Sequence, residues 1–235
     1  MKLKDVMAEL ESMGSAQTKK TFLRHGAKEP FFGVKVADMK TIVKRIKGDQ
    51  ALALELYATG NGDAQYLAGL VADGSKMTRA QLQTWAETAS WRMVAECTVA
   101  WVACEHPEAA ALAAKWIGAK DAQVACAGWN TWGALAATVP DAALPTKEMG
   151  ALLERVPKEI GTAPNRVRYC MNGYVIAVGT YVAPLAGKAM ATAKKLGAVE
   201  VDVGDTDCKV PVAAVYIEKA RRGAPVAPKR KTARC

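Results

Sequence analysis

Any catalysis in this 235-residue chain has to be built from carboxylates, aromatic rings and basic groups. It holds no P-loop, no G-x-G-x-x-G, no H-E-x-x-H and no serine nucleophile elbow. The only histidines are His25 and His106, and the six cysteines (Cys97, Cys104, Cys126, Cys170, Cys208 and Cys235) form neither C-x-x-C nor H-x-C. That spacing argues against zinc, so no metal and no cofactor is expected, and the thiols read as reduced and mostly buried. Six tryptophans fall between Trp85 and Trp132. About four are expected as anchors between helices, leaving one or two to line a groove against a base or sugar.

Charge points to a partner. The net charge of +9 sits at the two ends. Residues 1–50 hold 11 basic and 6 acidic side chains, residues 51–220 hold 15 and 17, and residues 221–235 hold 6 and none. Phosphate backbones attract such ends, and so do anionic membranes. Composition bounds the rest. At 51% hydrophobic and 23% charged the chain is too apolar to be disordered, and 19 Gly with 10 Pro exclude collagen-like sequence. No uncharged apolar run reaches the ~18 residues of a membrane span, and the first residues lack a signal-peptide core. A cytoplasmic protein without a membrane partner is expected, and nothing argues against a monomer.

The elements that must position these groups read as helices. Ala and Leu abound and β-branched runs are short. Lys2–Met13 opens the chain and Gly14 can stop it. Val36, Met39, Ile42, Val43 and Ile46 form an apolar stripe, with Lys40, Lys44 and Lys47 on a separate stripe of the same helix. Thr78-Arg79-Ala80-Gln81 is a capping box, Ser90 can cap the helix carrying Trp91, and Asp121 can cap one running to about Ala137. Pro107 fits the first turn of a helix that Gly118 ends, and Pro145, Pro157 and Pro164 punctuate further short helices before a long one from Asn165. One segment breaks the pattern. Val199-Glu200-Val201-Asp202-Val203 alternates like a strand, and Gly204-Asp205 can turn it into a small β-hairpin near 199–210. A final helix from Pro211 to Ala220 follows, then a basic tail over 221–235 that reads as extended and disordered. Capping residues at 121 and 165 open similar small-residue stretches 44 residues apart, near the ~40-residue period of HEAT-type helical pairs.

Three strings carry a family likeness. Phe31-Phe32-Gly33-Val34-Lys35-Val36-Ala37-Asp38-Met39-Lys40 resembles the N-terminal signature of the DNA alkylation repair family of HEAT-like-repeat proteins. Ser90-Trp91-Arg92-Met93-Val94-Ala95-Glu96, with His106-Pro107-Glu108 and Lys115-Trp116-Ile117, resembles that family's central block. Tyr169 to Tyr181 and Val201 to Pro211 are similar to one bacterial branch of it. The resemblance spans roughly residues 15–220. It implies an all-α solenoid of HEAT-like repeats over 1–220 that holds duplex DNA, whose active members are glycosylases excising N3- and N7-alkylated purines. Such a base is cationic and leaves easily, so a carboxylate with aromatic walls can stabilise the sugar cation and place a water.

The same resemblance assigns roles residue by residue. The catalytic Asp falls on Glu96, one methylene longer. Trp91 matches a family Trp, while groove tryptophans fall on Arg92 and Tyr174, and a phosphate-contacting Arg falls on Cys126. On the residues alone, Arg92 and Glu96 are four apart and can simply pair on a helix surface. Phosphate contacts are expected from Lys40, Lys44, Lys47, Arg166, Arg168 and the tail residues Lys229, Arg230 and Lys231. The chain therefore reads first as a double-stranded-DNA binder of this family, with glycosylase activity weak or lost. The alternatives are a non-catalytic binder of distorted or branched DNA and a helical-repeat scaffold for another protein.

Overall fold

A computed structural model of the chain describes residues 1–234, and Cys235 lies outside the described residues. Among these residues there are thirteen α-helices, short 3-10 turns, one π-helical stretch and no strand. The chain divides into two compact units. One comprises Met1–Pro107 with Gly204–Thr206 and Arg234, and the other comprises Glu108–Val203 and Asp207–Ala233.

The first unit runs α1 (Leu3–Met13), α2 (Ala16–Arg24), α3 (Val36–Ile46), α4 (Gln50–Ala58), α5 (Gly62–Val71) and α6 (Arg79–Glu87). The π-helical stretch Val94–Val99 and α7 (Ala100–Ala103) complete it. Side-chain caps start these helices where the sequence offers them: Ser15 for α2, Asp49 for α4, Asn61 for α5, and Thr78 with Gln81 as a capping box for α6. On α3, Met39, Ile42 and Ile46 are buried, Val36 and Val43 half-buried, and Lys40 and Lys44 exposed, as is Lys47 just past its end.

Helix α5 is the hub of this unit, and its first turn is polar as well as buried: Asn61, Asp63 and Gln65 are each at most 4% exposed. Buried polar groups need partners, and here those partners are two non-helical segments. The Asp63 carboxylate accepts N–H bonds from Phe32 (2.6 Å), Gly33 (2.9 Å) and Val34 (3.1 Å). The Gln65 side chain donates to the Thr88 carbonyl (2.9 Å) and accepts from the Ser90 N–H (2.9 Å). Ser90 therefore does not act as the expected cap. Its N–H goes to Gln65, while its hydroxyl is buried without a hydrogen bond. At the far end of α5, a Cβ on Gly69 would sit 2.4 Å from Thr98, so only glycine lets the π-helical stretch lie this close.

The second unit contains α8 (Ala109–Trp116), α9 (Ala122–Thr138), α10 (Thr146–Glu159), α11 (Asn165–Tyr181), α12 (Ala186–Leu196) and α13 (Ala213–Arg221). Asp121 caps α9 as expected, and a Cβ on Gly128 would come within 2.7 Å of the Ile117 nitrogen, so α9 abuts the end of α8 directly. Helix α11 packs on α9, α12 and α13. Pro157 does not end α10 but lies in its last turns. The Leu153 carbonyl, whose helical partner the proline deletes, faces the Thr192 hydroxyl at 3.4 Å.

Two further expectations change. Residues 199–210 form no hairpin, because the Asn165 amide takes both backbone groups of Asp202, donating to its C=O (2.7 Å) and accepting from its N–H (2.8 Å). Those are the groups a partner strand would need. The residues after α13 run without helix or strand, but they are tied down. Ala227 N–H donates to Thr180 and Arg230 N–H to Ala137, both at 2.8 Å, and the Lys229 ammonium meets the Ala136 carbonyl and Asp141, also at 2.8 Å. Arg234, which belongs to the first unit, donates to the Gly69 and Ala72 carbonyls and pairs with Glu105. Composition alone marks this stretch as loose; the carbonyls left over at helix ends explain why it is held. No single helix among the described residues is long and apolar enough to cross a membrane.

Candidate nucleic-acid interface

In the first unit α3 carries a basic row. Burial of Met39, Ile42 and Ile46 against the unit's core fixes the helix, and Lys40, Lys44 and Lys47 then stand in one exposed row. The row is ~10 Å long, about the axial rise of three base pairs.

The central block behaves differently. Trp91 is 4% exposed, with its ring 5.5 Å from that of Phe22, so it is a core anchor and not a groove wall. All six tryptophans are buried, which removes the expectation that one or two lie open. Arg92 is half-buried and tied to His25. Its Nε donates to the His25 carbonyl (2.8 Å) and a terminal nitrogen lies 3.2 Å from His25 Nδ1. Burial, then Arg92 and Arg24, hold the His25 imidazole below its ordinary pKa. Glu96 is half-buried and lies inside the π-helical stretch. A π turn re-aims the residues it carries and is common at functional sites. The sequence motif located Glu96 but not this distortion.

In the second unit the positions assigned by resemblance are also inside. Tyr174 is 1% exposed, packs 5.3 Å from the Trp129 ring and donates its hydroxyl to the Met149 carbonyl (2.8 Å); burial pushes its phenol pKa up. Cys126 is 2% exposed, so it neither replaces an arginine nor reaches a phosphate. Arg166 lies over the Tyr169 ring at 3.9 Å, and Arg168, on the same first turn of α11, keeps its Nε buried without a hydrogen bond. Lys229 is committed to Ala136 and Asp141, whereas Arg230 and Lys231 are exposed.

Sequence reasoning missed two features. One is the buried Asp63. Burial pushes its carboxyl above the usual range, against the three N–H groups and Lys19, which pull it down. The signal was there: an acid two residues after an Asn cap, at the start of an otherwise apolar helix. The other is a cleft of about 200 Å³ in the second unit, between the end of α8 and the starts of α9 and α11. Ile117, Trp129 and Val167 line it, with Lys120, Arg155 and Glu159. Arg155 pairs with Glu159 at 2.7 Å and lies 5.9 Å from the Trp129 ring.

The likeness to known proteins covers nearly the whole chain. The model of the family described as DNA alkylation repair enzyme matches residues 6–198. The uncharacterized protein Lin0241 of Listeria innocua is 34% identical over 219 residues, covering 91% of this chain and 94% of the relative. The uncharacterized protein Lmo0209 of Listeria monocytogenes is 33% identical over the same shares. A solved structure matches with a TM-score of 0.91 and 37% identity over 100% of both chains. It is described as belonging to a new family of proteins related to the HEAT-like repeat DNA glycosylases, with affinity for branched DNA structures. The helical pairs are thus HEAT-like repeats, and the chain belongs to the DNA alkylation repair enzyme family.

Proposed function

We propose that this protein binds duplex DNA at branches or distortions, reading shape through phosphate contacts and not through an open aromatic pocket. The observation that carries this reading is the full-length likeness to a protein with affinity for branched DNA. Two features support it. The basic row Lys40, Lys44 and Lys47 is exposed, as are Arg230 and Lys231. The rings that would wall a base, Trp91 and Tyr174, are buried. Phosphate contacts position a protein without reading sequence, which suits a substrate defined by shape. A second reading, hydrolysis of the N-glycosidic bond of N3- or N7-alkylated purines at Glu96, is favoured by the π turn that carries this carboxylate.

The test is fluorescence anisotropy with a four-way junction and a linear duplex of equal length, over a salt series. Tighter junction binding is expected. Replacing Lys40, Lys44 and Lys47 by Ala should flatten the log K against log salt slope by about 0.9 for each phosphate left without its lysine. Equal affinity for both DNAs overturns the shape reading, and no binding to either leaves the protein-scaffold alternative. Release of alkylated purine by wild type, abolished in Glu96→Gln, would establish the second reading.

A further inference from the structure

Cys126 on α9 and Cys170 on α11 take no part in the interface above. They are 2% and 1% exposed, neither is in a disulfide, and their Sγ atoms lie within 4.8 Å of each other. Asn130, one turn along α9 from Cys126, donates its side-chain N–H to Cys170 Sγ (3.2 Å) and to the Cys126 carbonyl (3.0 Å). From these placements we infer that the two thiols form a binding site for a soft monovalent cation of the copper(I) class. The site is held as a two-sulfur bridge between α9 and α11.

The chemistry selects the ion. Thiolates are the ligands soft metals prefer, and copper(I) accepts them at low coordination number. A linear S–M–S unit with bonds of about 2.3 Å needs its sulfurs about 4.6 Å apart, and these two lie within 4.8 Å of each other. An amide N–H aimed at one sulfur favours the deprotonated form, and such outer partners orient a ligand and raise affinity. Binding releases one proton from each thiol, and neither the metal nor the sulfurs change oxidation state. Because the sulfurs are buried, the ion enters by local opening of the α9–α11 packing, so slow uptake is expected.

The experiment is anaerobic titration of the full chain with copper(I) in competition with bathocuproine disulfonate, read by the chelator's absorbance. Wild type should withdraw one equivalent. Cys126→Ser and Cys170→Ser should each abolish that equivalent, Asn130→Ala should weaken it about tenfold or more, and Cys97→Ser and Cys208→Ser should leave it intact. X-ray absorption on the loaded wild type, which avoids any folding defect of the variants, should show two sulfur neighbours at about 2.2–2.3 Å. The inference is overturned if wild type surrenders all copper to the chelator. It is also overturned if a folded Cys126 or Cys170 variant keeps its equivalent, or if the metal's neighbours are not two sulfurs.

Discussion

The two units weight the same packing devices differently. In the first, buried side-chain oxygens and amides hold irregular backbone: Asp63 grips residues 32–34 and Gln65 grips residues 88–90. In the second, helix lies on helix through a glycine at 128 and buried rings at 129, 132 and 174, and cations close the helix ends, as Arg234 does for α5 of the first. There Arg221 Nε donates to the Gly179 carbonyl near the end of α11 (2.9 Å), and Lys229 serves the last turn of α9. Charge follows the same division. The first unit, with Asp205 and Arg234, holds 15 basic and 13 acidic side chains, and the second holds 17 and 10. A polar staple concentrates stability in few atoms, whereas packing spreads it over many.

Substitutions can break that contrast. Asp63→Ala should have the largest effect. It leaves three backbone N–H groups without their acceptor, at about 1–3 kcal/mol each where no water replaces it, so urea unfolding should show a loss of at least ~3 kcal/mol. Gly128→Val should come next. Its Cβ would collide with backbone 2.7 Å away, and overpacking of this kind costs about 1–3 kcal/mol. If Gly128→Val proves the more damaging in the same urea series, the contrast between staple and packing fails. Lys229→Ala should cost less, about 0.3–1 kcal/mol by the same measurement, and the difference should shrink in high salt.

The smallest effect sharpens the picture by pH. The folded pKa of His25 lies below the ordinary 6.5, so the unfolded chain binds the proton more readily. Stability present at neutral pH is therefore lost as pH falls from 6.5 through the lower folded value. Asp63 acts with the opposite sign. Its folded pKa is raised, so its contribution is full below the ordinary carboxylate value and is lost as pH rises through the folded one. Thermal unfolding from pH 8 to pH 5 should show wild type losing more than His25→Gln.

Helix positions are legible in the sequence because caps and apolar spacing are local. The Thr78–Gln81 box and the Asp121 cap are both where the letters put them. What escapes such reading depends on partners distant in sequence. Val199 to Val203 alternates like a strand, yet Asn165, 37 residues before Asp202, supplies the hydrogen bonds instead. Motif resemblance locates Glu96, Trp91, Tyr174 and Cys126 but does not say which face inward, since a tryptophan looks the same in a core as in a groove. The exposed lysine row of α3 is legible, because a solvated stripe is fixed by the apolar stripe of its own helix.

The π-helical stretch at 94–99 has a rotational consequence. A π turn carries one residue more than the α turn it replaces, and each residue of an α-helix advances about 100°. Wound as an ordinary helix with no residue removed, the same stretch would swing everything before it through about that angle. Trp91 would then turn out of the core and Arg92 away from His25. That single surplus residue sets the phase between the two halves of the central motif.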